Sequence, residues 1–201
     1  MKIGEIGEVL IHWIVVFLVF LVTSIAHELG HMLTLLAFRI PIHRLKFGFG
    51  PVIWGKNFKN SVVKRLRIGL FPFGVGAGFD GDHLKFKLLG FWAKIFVFFS
   101  GTLLNLIIAV LVSFFVGFGN VIQPSVKPND IVDISRIFVV LNLMLGIFQL
   151  LPFTRFDGGR IFDEIVRRYF SHKSDFFISN LKTTITVVLT SAIFYVYHFW
   201  I

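Results

Sequence analysis

The sequence predicts an all-α polytopic membrane protein: about four transmembrane helices, with a glycine-rich β-loop at the membrane surface between the first two. Three observations predict it. Apolar residues make up 56% of the 201 residues, 27 of them Phe, against 15% charged, which is more apolar surface than a soluble domain of this size can bury. The apolar residues gather into runs at about 10–38, 91–118, 131–151 and 181–200, and roughly 20 helical residues suffice to cross a hydrocarbon core of about 30 Å. The intervening segment 40–86 has a different texture, with short apolar stretches broken by glycine and proline. Residues 1–201 therefore read as a single membrane-embedded domain.

The first run is too long for the apolar part of a cleavable signal peptide and lacks a small-residue cleavage site, so it is expected to stay in the mature protein. In the loop, Gly48, Gly50, Pro51, Gly55, Gly69, Pro72, Gly74, Gly76, Gly78 and Gly81 predict turns. The stretches Lys46–Phe49 and Val75–Phe79 predict short strands between them. An exposed strand edge there could pair with an extended peptide through backbone bonds that tolerate many sequences. It could equally be an ordinary interfacial hairpin, and the residues leave both open. Pro152 ends the third run by removing a backbone donor. Beyond it, Asp163 with Arg167 and Glu164 with Arg168 have the i,i+4 spacing of solvated helix ion pairs.

Charge orients the chain. The formal net charge is +9, but Lys and Arg lie between the apolar runs, which favours anionic lipid headgroups of the bilayer over nucleic acid as the partner. Arg39, Arg44, Lys46, Lys56, Lys59, Lys64, Arg65, Arg67, Lys85 and Lys87 separate the first two runs, and Arg155, Arg160, Arg167, Arg168, Lys173 and Lys182 follow the third. The other side has Lys2, Lys127 and Arg136. The positive-inside bias then places both termini outside and both basic loops in the cytoplasm, in an integral protein of the cell (plasma) membrane.

The motif His27-Glu28-Leu29-Gly30-His31 lies inside the first run. At 3.6 residues per turn, His27 and His31 share one helix face and can offer two imidazole nitrogens to one zinc ion, with Glu28 alongside to work on a water. This is the ligand spacing of a zinc peptidase. Ionisable groups in a spanning helix cost several kcal/mol unless paired, metal-bound or facing a wet cavity, so they ask for a functional reason. Without cysteine, the available ligands are His and carboxylate, and a catalytic zinc usually takes three protein ligands. A third must come from elsewhere in the chain: Asp157, between Pro152 and the pair Gly158-Gly159, can face inward, although taken by itself an Asp before a helix reads more readily as a cap. In that role it would N-cap a helix from Gly158 to about Phe170.

Together these pieces resemble the site-2 protease family of intramembrane zinc metalloproteases, peptidase family M50. His27 to His31 matches the family's HExxH motif, and Pro152 through Asp157-Gly158 matches most of its Asn-x-x-Pro-x-x-x-x-Asp-Gly motif. Phe71-Pro72-Phe73-Gly74-Val75-Gly76 is similar to its glycine-rich loop, and Ser100-Gly101-Thr102-Leu103-Leu104-Asn105 to its Gly-x-x-x-Asn helix start. The resemblance covers about residues 10–160. It implies one Zn2+ per chain held by His27, His31 and Asp157, with Glu28 as catalytic acid/base. It also implies substrate contacts at Gln149, Pro152, Asn105, Gly74 and Gly76, and a transmembrane protein or peptide as substrate, cut near the cytoplasmic side.

The chain departs from the pattern at Gln149, where the family has Asn, and at Thr102, where Pro is common. Gln keeps the carboxamide but adds a methylene, so it could assist from a shifted position. The loop at about 119–130 is too short for a PDZ domain, and no CBS pair is expected after Trp200. Regulation would then come from a membrane protein in trans or from the loops. Two rivals stand: a non-proteolytic family member that binds a membrane partner, and a metal-ion transporter. Transport asks for several ligand sites along a path, and the sequence offers one compact set.

Overall fold

The computed structural model describes residues 3–59, 63–79, 84–117, 131–152 and 156–170, with parts of 180–188. The elements in order are α1 (Ile3–Ala37), β1 (Ile42–Asn57), β2 (Val63–Phe79), α2 (Leu84–Lys87), α3 (Phe91–Val116), α4 (Ile131–Gln149) and α5 (Asp157–Tyr169). Among the described residues two helices are long and apolar enough to cross a membrane: Ile6–Ala37 within α1, and α3. At 35 residues α1 is about 52 Å long, well beyond a hydrocarbon core of about 30 Å, and it begins earlier than the apolar run suggests. The third expected run forms a helix, α4, but its apolar part, Ile134–Gln149, is shorter than these two. Most of the expected fourth, 181–200, lies outside the described residues.

The helices bury the pattern a membrane demands. On α1, Leu18, Val22, Leu29, Leu33 and Leu36 are exposed, while Thr23, Ser24, His27, His31 and Thr34 are buried. Polar groups turned inward and leucines turned outward are the arrangement that suits lipid as the surrounding solvent. The helices are joined by polar contacts. Asn142 Nδ2 on α4 donates to Thr23 Oγ1 on α1 at 3.2 Å, and Thr102 Oγ1 on α3 donates to Gly146 O on α4 at 3.4 Å. α3 is central, packing against α1, α4 and α5.

The loop between α1 and α3 folds into a two-stranded sheet whose strands are long and bent rather than short. β1 bends where Gly48 and Gly50 take φ of 83° and 82°, a region glycine enters without steric cost. Each strand thus has two arms. Segment 42–47 runs parallel to 63–68, pairing Ile42 with Val63 and Phe47 with Ile68. It also pairs in the opposite sense with 75–79, Arg44 facing Gly78 and Lys46 facing Gly76, while 52–57 runs antiparallel to 65–69. The arm Val75–Phe79 therefore lies at an edge of the described sheet. Leu35, Ile40, Ile42, Phe86, Val97 and Phe98 form a buried cluster that ties the base of α1 and the start of the sheet to α2 and α3.

Candidate metal centre

Helix α1 presents His27 and His31 one turn apart, and both are buried. They are held against α3 by two glycines. A Cβ on Gly30 would run into the Ser100 carbonyl and Gly101 Cα, and one on Gly101 would run into His31 Nε2 and His27 O. The spacing Gly101 to Asn105 puts both residues on one face of α3, so the glycine admits the two rings while the asparagine reaches the first of them. Asn105 Nδ2 lies 3.4 Å from His27 Nδ1. On the other ring, His31 Nδ1 donates to the Val97 carbonyl at 2.8 Å, and Ser100 Oγ donates to the same carbonyl at 2.8 Å.

Asp157 is brought in by the way α4 ends. Leu150 N and Leu151 N bond back to Ile147 O and Phe148 O, tightening the last turn, and Pro152 follows. The carbonyls of Leu150 and Leu151 then lie against Gly158, where any side chain would collide. Asp157 is the first residue of α5, and the N-cap is Phe156, without a side-chain cap bond. The capping role that the sequence left open for Asp157 is thus not the one it takes. As the first helical residue its carboxylate gains from the positive end of the helix. Burial pushes the Asp157 carboxyl up, but hydrogen bonds and charge from His27 and His31 outweigh this and hold it below the usual carboxylate range.

α5 is clamped to the start of α3. Glu164 pairs with Lys94 at 3.6 Å, and Arg168 stacks over Phe91 at 4.5 Å. The expected pairing of Glu164 with Arg168 is therefore replaced by a contact between helices, because the Glu164 side chain lies toward α3. Arg160 Nη1 sits 3.8 Å from Asp157 Oδ1, and its Cζ lies 5.8 Å from the Phe98 ring centroid.

The result is a convergence of three atoms. Asp157 Oδ2 is 3.0 Å from His27 Nε2 and 2.9 Å from His31 Nε2, and the two Nε2 atoms are 3.2 Å apart. Tetrahedral ligands at about 2.0–2.1 Å from zinc would stand roughly 3.3 Å from one another, so this set fits a metal ion with shifts of a few tenths of an ångström. The donor chemistry fits as well: two imidazoles and a carboxylate, all buried. Glu28 is half-buried beside His27.

Of the other expected site residues, Asn105 joins this cluster. Gln149 and Pro152 lie half-buried at the end of α4, and Gly74 and Gly76 belong to β2. Residue-by-residue reading missed the carbonyl of Val97 and the hydroxyl of Ser100 as partners of His31, and Gly30 as a contact glycine. Gly30 sits inside the histidine motif, and a small residue on the buried face of a spanning helix is itself a signal of close helix approach.

The family model for peptidase family M50 matches residues 15–124, more than half of the chain. The fold is similar to that of a solved site-2 protease from Methanocaldococcus jannaschii, with a TM-score of 0.56 and 21% identity over 90% of this chain and 67% of that one. No curated protein matches. The profile match runs through the histidine motif and Asn105 and ends before Asp157. By this match the chain belongs to peptidase family M50, and it shares the site-2 protease fold.

Proposed function

We propose that the chain is an intramembrane zinc endopeptidase that hydrolyses a peptide bond of a membrane-spanning substrate near the cytoplasmic side. The observation that carries this reading is the convergence of His27, His31 and Asp157 at the buried end of an apolar helix, with Glu28 adjoining. The three would hold one zinc ion per chain. The chemistry supplied by a bound zinc is Lewis acidity toward a water and the scissile carbonyl. Glu28 takes the proton of that water and returns it to the leaving amine, so the carboxylate ends the cycle as it began.

A helical substrate segment must unwind first, since its carbonyls are hydrogen-bonded and shielded. The edge arm Val75–Phe79, with Gly76 in it and Gly74 just before it, offers backbone donors and acceptors to replace those bonds. Gln149 and Pro152, at the end of α4 and a few residues ahead of Asp157, would contact the unwound chain. Membrane-anchored regulators or remnant signal peptides suit this chemistry, with a regulatory membrane protein in trans. The test is to compare wild type with Glu28→Gln in native membranes by mass spectrometry. Membrane peptides that accumulate only in the variant support the reading, and identical peptide sets would remove it.

A further inference from the structure

Each imidazole has two nitrogens, and what faces one decides what the other can do. For His31 the choice is made by the backbone: the Val97 carbonyl, 2.8 Å from Nδ1, can only accept, so Nδ1 carries the proton and Nε2 presents a lone pair to the site. Among the described residues, His27 has no such carbonyl at Nδ1. Its neighbour is the amide of Asn105, 3.4 Å away on a side chain with 0% exposure.

The two ends of a carboxamide have nearly the same shape, and the surrounding network decides which faces where. With the nitrogen turned to His27, the ring must accept at Nδ1 and carry its proton on Nε2, which blocks the atom 3.0 Å from Asp157 Oδ2. Asn105 Oδ1 is then buried without a partner. With the oxygen turned to His27, Nδ1–H donates to it, and Nε2 is free to bind a cation. Either way one amide atom is unpaired, so the choice is set by what His27 must do.

We propose that Asn105 is a positioning residue that accepts the Nδ1 proton of His27, so that His27 presents its Nε2 lone pair beside those of His31 and Asp157. This rests on the metal reading above. The resemblance alone makes Asn105 a substrate contact, but full burial against the His27 ring places it behind the ligand. Asn105 and Val97 thereby do the same task for the two rings, one with a side chain and one with the backbone, both from α3.

The test is zinc affinity of the purified full chain in detergent, by chelator competition, for wild type, Asn105→Leu and Asn105→Asp. Loss of an outer contact to a metal ligand weakens binding by about 10–100-fold, which is the expected result for Asn105→Leu. Asn105→Asp keeps an obligate acceptor at the same reach and should bind close to wild type. Equal affinity in Asn105→Leu and wild type overturns the proposal, and so does equal weakening in both variants, which would mark a packing role. Nitrogen-15 NMR of the histidines in zinc-loaded wild type is independent of any variant's folding. A protonated His27 Nδ1 is expected, and an unprotonated one overturns the proposal. Wild type that binds no zinc would instead overturn the metal reading itself.

Discussion

Oδ2 of Asp157 stands 2.9 Å from Nε2 of His31, across 126 residues of chain. Two devices hold it there: Gly158, which lets α5 start against the carbonyls that end α4, and the clamp of Lys94 on Glu164. A carboxylate buried against two imidazoles needs a cation or a proton to balance it, and that requirement makes the site testable.

The first prediction concerns metal. The purified chain should hold one zinc. His27→Ala, His31→Ala and Asp157→Ala should each lower affinity by more than the roughly 10–100-fold that loss of an outer contact costs. Chelation should abolish cleavage and added zinc restore it. Full occupancy in Asp157→Ala, measured by elemental analysis, would show that the carboxylate is no ligand.

Glu28→Gln keeps the size and polarity of the side chain but cannot take a proton from water. Zinc content and folding should be unchanged, while cleavage of a reconstituted transmembrane peptide with a helix-destabilising Gly or Pro falls by at least about 10²-fold. Gln149→Asn, which shortens the carboxamide by one methylene, should hold or raise the rate in the same assay. A wild-type protein that cleaves no such peptide would favour the binding-protein alternative.

Topology gives a third expectation. A cysteine placed at the exposed position Lys59 should be labelled only when the cytoplasmic face is accessible, and one at Lys127 only from outside. The opposite pattern would move the site to the outer face.

Gly158→Ala should destabilise the chain, since its Cβ has no space against the Leu150 carbonyl and α5 must shift. Forcing an extra group into a packed interior costs about 1–3 kcal/mol, which thermal unfolding in detergent can read. Because the shift moves Asp157, zinc affinity should fall with it. An unchanged melting temperature and affinity would mean that the α4–α5 junction is slack.

Local and compositional features were decided by the sequence alone. Apolar runs long enough to cross a bilayer follow from counting, and the pairing of His27 with His31 follows from the helical repeat, because residues four apart share a face whatever surrounds them. The texture of the glycine-rich loop announced strands in the same way, though not that β1 and β2 would bend into arms that pair in both senses. Contacts between elements were decided by the tertiary structure. Asp157 before two glycines reads by itself more readily as a helix cap than as a ligand, and only the close approach of Gly158 to the carbonyls of Leu150 and Leu151 turned its carboxylate to the histidines. Glu164 was four residues from a suitable arginine, yet it pairs with Lys94, because α5 lies on α3. Asn105 matched a motif that implied a substrate contact, and it was the packing of α3 on α1 that set its amide against His27. The physical reason is common to all three: helix periodicity fixes neighbours within a turn, whereas a contact across the chain depends on how closely two helices approach. Here glycines at 30, 101 and 158 set that approach.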